Sequence, residues 1–585
     1  MVSLAEIQEI PPNNVVLLVG SPGSGKTTFC EQVILQSLAV DRPVIFVTTE
    51  CGPSRAEAAL RERGLGEVDP SLLSFIDGYN ETVGLSVADR PDTAPADCGD
   101  LSSIGIAISK LQERMRRRGI LLVFDSLTSP YLLSGPEVVR FLRLTLSRFT
   151  GEGNSVLACF DEGSGKEEDL VAMMSLSNGV IRIETGEDRQ VFSVVKHPRM
   201  RPSKIEVTTT ERIVKFYDIK IWDLEFLKRW LKSQESFRES IDRFRAHVFW
   251  PNFAFWSAMP WDPKRFPKMI YDVWRNFSTI LSDMIPLLPW HMRLLWKSMM
   301  PKSLSDVKDV RKFFAGRLGR RHFEMRGDGI MEYLEDVSRP DEHHVRVYES
   351  RECCGFENLG AATASIFPAL LAGSFRAIER IRGSKREWNA IETRCVGLGD
   401  PYCEFKLVAG EIPDLTNFLE KDSAVVGRIQ HHMIDRVIGF LVDGKPLVER
   451  PTLGTDLVMG HPEISLPALS SERYRMALRM GGAKSGREVG EHLVDEGLSS
   501  DEAAKRILGF LEHCRVGKVK ANETIVIEDS RESIYTKTLT TTWEEPSCYF
   551  TTGFLNGFFS AVKNQHVIET KCIAIGDPYC EWEFR

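Results

Sequence analysis

The stretch VVLLVGSPGSGKTTFCEQVIL, residues 15–35, decides the fold of the first part of this 585-residue chain. It opens on an apolar run, 15–19, that is typical of a buried strand, and a glycine-rich loop and a helical pattern follow. The loop, 20–27, fits the spacing G-x-x-x-x-G-K-[ST] in full. Strand, loop and helix in this order predict a phosphate-binding loop in an α/β sheet.

The residue types in this loop suit a nucleoside triphosphate. Glycines let backbone N–H groups curl around a phosphate, and the N-terminus of the next helix adds partial positive charge. Lys26 would reach the β- and γ-phosphates, and the Thr27 hydroxyl would bind Mg²⁺. ATP and Mg²⁺ are therefore the expected ligands. The predicted binding residues are Gly20, Ser21, Pro22, Gly23, Ser24, Gly25, Lys26, Thr27 and Thr28.

Two acidic residues follow further apolar runs. GILLVFDSLTS (119–129) places Asp125 at the tip of a buried strand, where a carboxylate beside such a loop would hold Mg²⁺. The alternative is a helix-capping aspartate. RPVIFVTTE (42–50) places Glu50 at a strand exit, where it would orient the attacking water as general base. The alternative for Glu50 is an ordinary surface acid.

Strand-like runs recur at 155–160, 179–184 and 190–196, and the later ones lie close together, which indicates an α/β sheet with a β-rich end. With GSPGSGKTT, FVTTE, LLVFDSLTS and FSVVKHPRMRPSKIEVTTTERIVKF in this order, residues 1–220 resemble the KaiC-like branch of RecA-type ATPases. The resemblance implies a ring or filament of subunits with ATP at their interfaces.

That resemblance also implies a basic residue acting in trans on the neighbour's γ-phosphate. Lys196 matches it, with Arg199 and Arg201 as alternatives, although the spacing in KHPRM differs from the usual K-x-R. KaiC commonly has two adjacent acids where this chain has Glu50 and Cys51. The single acid predicts slow hydrolysis.

The C-terminal half contains one phrase twice, as IETRCVGLGDPYCEF (391–405) and IETKCIAIGDPYCEWEF (568–584). Longer parallels surround it, so the sequence predicts a duplicated domain. Each copy would close in a hairpin that turns at Gly-Asp-Pro. The matched stretches are 345–352 with 525–532, 369–379 with 553–563 and, loosely, 313–321 with 481–490.

Each copy has the spacing Glu-x2-Cys-x7-Cys, which brings a carboxylate and two thiolates together across the hairpin. Zinc accepts such ligands in tetrahedral order. In the first copy the aligned fourth position is not Cys and the Cys353–Cys354 pair matches poorly, so a metal site and small buried thiols stay open there. The predicted ligands are Glu392, Cys395 and Cys403 in the first copy and Cys548, Glu569, Cys572 and Cys580 in the second.

The ending C-x-x-x-GDPYC-E-F of both copies resembles the 4-vinyl-reductase-like domain, over about 290–408 and 435–585. The resemblance implies an α/β sensor fold that binds small apolar or aromatic molecules. In phenol-responsive bacterial regulators of this kind a zinc site of Glu and Cys ligands stands beside the ligand pocket. Related folds in vesicle-tethering complexes serve as platforms for protein partners and acyl groups.

The predicted fold class is therefore α/β, with a RecA-like P-loop ATPase core followed by two α+β sensor-type domains. The sequence divides into an ATPase domain at 1–220, a helical linker region at 221–289, a first repeat at 290–408, a linker at 409–434 and a second repeat at 435–585.

Composition limits the other function classes. The net charge of −8 argues against a nucleic-acid partner. No secretory signal and no apolar run of membrane length is evident, so a cytoplasmic protein is expected, with its twelve Cys as ligands or buried thiols. The leading hypothesis is a regulatory ATPase tuned by an apolar ligand or metal at the repeats. The alternatives are a RecA-like DNA-repair accessory, a nucleotide-switched binding scaffold without turnover, and an enzyme acting on a tetrapyrrole or hydrocarbon.

Overall fold

We analysed a computed structural model of the full chain. It describes residues 4–585 apart from 67–68, 70, 88–89, 186–188, 209–244, 280–281, 283–289, 291–296, 299, 317–319, 414, 460–462 and 541–542. About half of the predicted helical linker region, including the helical pattern at 221–244, lies outside the described residues.

The N-terminal part is built on one nine-stranded sheet of order β4-β3-β2-β5-β6-β1-β7-β8-β9. The strands from β4 to β7 in that order run parallel, and β8 and β9 pair antiparallel at the edge. The strands are β1 (Val15–Gly20), β2 (Val44–Thr48), β3 (Leu73–Asp77), β4 (Thr93–Pro95), β5 (Leu121–Asp125), β6 (Ser155–Asp161), β7 (Gly179–Thr185), β8 (Arg189–Lys196) and β9 (Ser203–Thr208). This confirms the predicted α/β sheet with a β-rich end.

Helices cover both faces of this sheet, which explains why its central strands are continuous apolar runs rather than alternating ones. Two separate hydrophobic clusters form, one on each face. A π-helical turn, Leu142–Leu146, joins two of the helices. The helices are α1 (Leu4–Gln8), α2 (Lys26–Leu38), α3 (Pro53–Glu62), α4 (Leu101–Met115), α5 (Thr128–Ser134), α6 (Glu137–Phe141), α7 (Ser147–Gly151) and α8 (Glu167–Leu176).

The C-terminal part contains two four-stranded antiparallel sheets with the same strand order, β11-β12-β14-β13 and β16-β17-β19-β18. Both have a bulge at the same place in the closing hairpin, after Glu392 and after Glu569. The strands are β11 (Ile330–Tyr333), β12 (Glu342–Tyr348), β13 (Trp388–Arg394) and β14 (Cys403–Ala409), then β16 (Lys518–Ala521), β17 (Thr524–Glu528), β18 (Val567–Lys571) and β19 (Cys580–Phe584).

Twelve further helices pack around these sheets in the described residues. A short antiparallel strand pair, β10 (Arg245–His247) with β15 (Leu457–Met459), joins two distant segments of this region. The helices are α9 (Phe249–Ala258), α10 (Phe266–Thr279), α11 (Val307–Ala315), α12 (Arg320–Arg326), α13 (Ile366–Ile381), α14 (Leu415–Leu419), α15 (Ser423–Asp443), α16 (Ser465–Ser470), α17 (Glu472–Asp495), α18 (Ser500–His513), α19 (Arg531–Leu539) and α20 (Tyr549–Lys563). Single 3₁₀ turns, Val396–Leu398 and Ile573–Ile575, lie inside the two closing hairpins.

A buried glutamate caps the N-terminus of α13 in the first repeat and of α20 in the second, and these two are called the main helices below. Glu352 accepts hydrogen bonds from the backbone N–H groups of Ile366 and Phe367 at 2.9 Å each. Glu532 does the same for Phe550 and Thr551 at 3.0 and 3.1 Å. Burial raises the pKa of both carboxyl groups to about 7. The shared motif Ser-Arg-Glu, which follows β12 in the first repeat and β17 in the second, thus caps α13 and α20.

A glycine in each main helix identifies the helix that packs against it. A Cβ on Gly373 would lie 2.3 Å from the carbonyl oxygen of Arg275 in α10, and one on Gly557 would lie 1.9 Å from that of Ala483 in α17. Helices α10 and α17 are therefore equivalent, and the duplication extends back into the range predicted as linker. The loose sequence match of 313–321 with 481–490 was wrong, because the partner of α17 in the first repeat is α10.

Candidate nucleotide site and cysteine clusters

The phosphate-binding loop lies between the end of β1 and the start of α2, as its sequence predicts. Gly25 has φ of 95°, in the left-handed region that favours glycine. A Cβ on Gly20 would lie 2.4 Å from the carbonyl oxygen of Ile183, so this position also requires glycine. The loop sits beside the carboxyl ends of β5 and β6, the usual place for ligands in an open parallel sheet.

Lys26 is buried in the loop and makes several contacts. Its ammonium donates to the carbonyl oxygens of Gly20 and Ser21 at 2.9 and 2.8 Å and to Ser24 Oγ at 3.3 Å. It also forms an ion pair of 2.6 Å with Asp161 Oδ1, at the end of β6. The predicted phosphate-binding lysine is thus held at the loop by backbone oxygens and one buried carboxylate.

The two predicted acids meet beside this loop. Asp125 and Thr27 line one cavity of about 290 Å³, together with Glu50. Burial and the nearby Glu50 carboxylate raise the pKa of Asp125 to about 7, although a hydrogen bond with Thr27 and the Lys26 charge oppose this. Two carboxylates and a hydroxyl on one cavity wall are an oxygen donor set that suits Mg²⁺.

Glu50 accepts a hydrogen bond from Ser126 Oγ at 3.1 Å. Its other oxygen lies 3.4 Å from Arg473 Nη1, a residue of α17 in the second repeat. Arg473 also lies 2.8 Å from Asp161 Oδ2 and 3.7 Å from Asp262 Oδ2. The sequence carried no signal for this residue, because an arginine in the first turn of an amphipathic helix resembles any other solvated cation.

The basic residues predicted to act in trans lie elsewhere. Lys196 donates to the carbonyl oxygens of Ser175 and Ser177 at 3.3 and 2.7 Å, at the C-terminal end of α8. Arg199 pairs with Glu9 at 2.9 Å. Neither of these side chains reaches Glu50 or Lys26 within the described part of this chain, and Arg201 follows them on the same segment. A role for any of the three across an oligomer interface stays a prediction.

The second repeat packs directly on the ATPase domain through α17, α20 and β18. Arg487 pairs with Asp97 at 2.6 Å, and Arg479 donates to the Tyr79 hydroxyl at 3.3 Å. The Asn556 amide donates to the carbonyl oxygens of residues 81 and 82 at 2.9 and 2.8 Å. These polar contacts connect the second repeat to the segments that follow β3 and β4.

The second cysteine cluster has the four residues that the sequence predicts: Cys548, Glu569, Cys572 and Cys580. Their candidate ligand atoms all lie within 4.8 Å of one another, and all four side chains are buried. Thr552 donates to Glu569 Oε2 at 2.6 Å, whereas Glu569 Oε1 is buried and has no hydrogen-bond partner in the part of the chain that the structure describes. A buried carboxylate oxygen without a donor, facing three thiols, fits a metal ion.

The first cluster is completed by Cys353, so the poor sequence match was misleading. Cys353 Sγ lies 3.8 Å from Cys395 Sγ and 3.5 Å from Glu392 Oε1, and Cys403 is the fourth member. Cys354 points elsewhere, toward the carbonyl oxygen of residue 351. The first repeat therefore has the same Cys3Glu donor set as the second.

The two repeats draw the third cysteine from different places in the chain. Cys353 matches Ser533 of the second repeat, which lies 2.9 Å from Cys572 Sγ. Cys548 matches Ala364 of the first repeat, whose N–H donates to Glu392 at 3.0 Å. Position-by-position comparison of the repeats therefore misses the equivalence, although the two thiols reach the same place in space.

In each cluster the pKa of one cysteine thiol is lowered. Hydrogen bonds from the other two cysteines hold the pKa of Cys395 and of Cys572 well below the usual thiol range. Burial raises the pKa of Glu392 and of Glu569 well above the usual range. Each cluster thus favours one thiolate, which is the form that binds a metal.

These features define a P-loop ATPase domain of the RecA-like class, joined to a pair of α+β domains with buried Cys3Glu clusters. Residues 4–224 match the family model of the KaiC ATPase, and residues 531–585 match that of the 4-vinyl-reductase domain. The chain therefore carries a KaiC-like ATPase domain and, at its C-terminal end, a 4-vinyl-reductase domain, as the motifs predicted for these two parts. Among the described residues we find no helix with the length and apolar character that crossing a membrane requires.

Curated relatives match part of the N-terminal domain. A UPF0273 protein of Thermotoga maritima is 28% identical over 144 residues, 24% of this chain and 57% of the relative. One of Pyrococcus horikoshii is 30% identical over 144 residues, 24% of this chain and 56% of the relative. One of Aeropyrum pernix is 27% identical over 187 residues, 30% of this chain and 72% of the relative. The chain spans just over half the length of the first two.

Proposed function

We propose that this protein is an ATP-hydrolysing regulatory protein whose two C-terminal repeats control its ATPase site. The observation that carries this proposal is the composition of the cavity beside the P-loop. Its wall combines Thr27, Glu50 and Asp125 of the ATPase domain with Glu472 and Arg473 of the second repeat. A change in the second repeat would therefore act directly on the groups that handle the nucleotide.

The ATPase residues have separate tasks in this proposal. Lys26 and the loop N–H groups would bind the phosphates, and Thr27 and Asp125 would hold Mg²⁺, which neutralises charge on the phosphate oxygens. Glu50 would orient the attacking water and accept its proton. The second repeat would exclude bulk water from this side of the site, since α17 covers it.

The test of this function is ATP hydrolysis by the full chain, measured as phosphate release with Mg²⁺. We expect turnover that saturates with ATP and is lost in Lys26→Ala, because the phosphate contacts of Lys26 are removed. Lys110→Ala, which removes an exposed lysine of α4, is the matched control and should behave like the unmodified chain. ATP binding without turnover would instead support a nucleotide-switched scaffold.

We further propose that both Cys3Glu clusters bind zinc, and that the first repeat is a second domain of the 4-vinyl-reductase type. Three thiolates and a carboxylate match the preferences of zinc. The shared strand order, the shared glutamate cap and the two clusters support the assignment of the first repeat. Because the clusters are buried and lack an open position, zinc would hold the first closing hairpin to the segment after β12 and the second to the start of α20, rather than act in catalysis.

Metal content tests the first cluster. We expect about two zinc ions per purified chain, falling to about one in Cys353→Ser, since a serine hydroxyl is a poor zinc ligand. Cys354→Ser is the matched control, because the neighbouring thiol lies outside the cluster and should leave the zinc content unchanged. Elemental analysis after purification without chelators measures both. Equal zinc in the two variants would show that Cys353 is not a ligand.

Sensing of a small apolar or aromatic molecule remains part of the proposal through the resemblance to the 4-vinyl-reductase domain. A cavity lined by Pro251, Phe255, Trp256, Ile366 and Tyr474 lies where the two repeats meet, and its volume is about 10 Å³. That space suits about one water molecule. A ligand there would have to open the packing between the repeats, so a change in thermal stability should accompany binding.

A further inference from the structure

Arg473 lies at the centre of the contact between the second repeat and the ATPase site. It is in the first turn of α17, where Ser471 caps the helix by accepting a hydrogen bond from the Tyr474 N–H at 3.2 Å. Only 19% of its side chain is exposed. The helix cap and the carboxylates of Glu50, Asp161 and Asp262 around the guanidinium fix the direction of this long side chain.

Arg473 and Lys26 contact the two oxygens of the same carboxylate, that of Asp161. Lys26 Nζ contacts Asp161 Oδ1 at 2.6 Å, and Arg473 Nη2 contacts Asp161 Oδ2 at 2.8 Å. The two cations therefore converge on the same small region. Because the lysine of a P-loop reaches the β- and γ-phosphates, Arg473 lies within reach of the terminal phosphate as well.

The second contact of Arg473 places it on the side of the attacking water. Its Nη1 is 3.4 Å from Glu50 Oε2, and it lines the same cavity as Thr27 and Asp125. Arg473 thus stands between the P-loop lysine and the proposed general base. This is the region where negative charge develops on the transferred phosphoryl group.

We propose that Arg473 is a catalytic residue that the second repeat supplies in cis and that contacts the terminal phosphate of ATP during hydrolysis. The proposal rests on the ATPase function proposed above. In the step, a water oxygen bonds to the γ-phosphorus while the bond to the β–γ bridging oxygen breaks. The proton of the water goes to Glu50, and the electron pair of the broken bond leaves with ADP. The guanidinium neutralises charge on the γ-phosphate oxygens.

An arginine supplied by the same chain has a consequence for assembly. The contact between Arg473 and Glu50 needs no neighbouring subunit, unlike the predicted action of Lys196 in trans. Each chain already contains this arginine, so dilution should not lower the rate per chain by removing it from the site. The second repeat would also decide whether the site is complete, since movement of α17 would withdraw the guanidinium.

The test compares Arg473→Lys and Arg473→Ala with the unmodified chain by turnover, ADP affinity and trapping of ADP with aluminium fluoride. Arg473→Lys keeps the charge opposite Asp161 and should unfold at nearly the same temperature. We expect both variants to lose about 10³-fold in kcat and to lose the aluminium fluoride complex, with little change in ADP affinity. Arg475→Ala is the control, because Arg475 pairs with Glu545 at 2.8 Å instead.

Mixing experiments separate action in cis from action in trans. Lys26→Ala chains retain Arg473, and Arg473→Ala chains retain the P-loop, so a mixture would regain activity if Arg473 acted on a neighbour. We expect no recovery. Recovery, an unchanged rate in Arg473→Lys, or a raised rate in Arg473→Ala would each overturn the proposal. Absence of turnover in the unmodified chain would instead overturn the proposed ATPase function, and this proposal with it.

Discussion

Replacing Glu50 with Gln should reduce ATP turnover by about 10²–10⁴-fold and leave ATP affinity nearly unchanged. Gln keeps the size of the side chain and can still meet Ser126 Oγ, which contacts Glu50 at 3.1 Å. It cannot accept the proton of the attacking water. Phosphate release in a single turnover, together with titration of a fluorescent ATP analogue, separates the chemical step from binding.

The control for this substitution is Glu57→Gln in α3. Glu57 pairs with Arg61 and Arg90 at 2.7 Å each, on the surface of the same domain. Removing its charge should cost little, as for other partly exposed ion pairs. If Glu50→Gln hydrolysed ATP at the rate of Glu57→Gln, Glu50 would not be the base. The residue after Glu50 is Cys51, so the next position in the chain supplies no second acid to act as base, and the loss should be large.

The sequence was most informative where one short segment carries both structure and chemistry. The P-loop at 20–27 could be predicted because its strand, turn and helix are contiguous, and each residue type has a local reason. The parallel sheet followed from apolar runs long enough to be buried on both faces. The duplication could also be predicted, because the sequence of its closing hairpin is nearly identical in the two copies.

Features that depend on contacts between distant segments could not be predicted in this way. Arg473 is separated from Glu50 by 423 residues, and nothing in its local sequence distinguishes it from a surface arginine. The Cys353–Cys354 pair was only a poor match for the fourth ligand, because the counterpart Cys548 belongs to a different segment of the other repeat. The role of α10 was hidden because its packing against Gly373 is visible only in three dimensions.

The second cysteine cluster lies close to the ATPase domain, and this proximity explains how metal could affect turnover. The backbone N–H of Glu569 donates to the carbonyl oxygen of Gly84 at 3.4 Å. A Cβ on Gly84 would lie 2.4 Å from the carbonyl oxygen of Val567, so β18 and this ATPase segment are in close backbone contact. A hairpin that loosens when zinc is lost would therefore disturb the segment that follows β3.

Cys572→Ser should remove the zinc of the second cluster and lower the temperature of unfolding by ~10 °C or more. The loss leaves Glu569 and the remaining thiols buried without a cation, which costs several kcal/mol, and about 1 kcal/mol corresponds to 2–4 °C in a domain of 150–250 residues. Hydrogen exchange at residues 79–84 should rise with it, and ATP turnover should fall. Differential scanning calorimetry, zinc analysis and exchange mass spectrometry measure these effects.

Cys514→Ser is the matched control for that experiment. Cys514 is fully buried at the end of α18 and lies outside both clusters, so its substitution should leave zinc content, exchange at 79–84 and turnover unchanged. If Cys572→Ser lost zinc without altering exchange at 79–84, the metal would stabilise the repeat alone and the route through Gly84 would be wrong. If both variants kept the same zinc content, the second cluster would be a set of buried thiols. Loss of zinc together with faster exchange next to Gly84 fits control of the ATPase through β18, because those backbone contacts join β18 to the segment that follows β3.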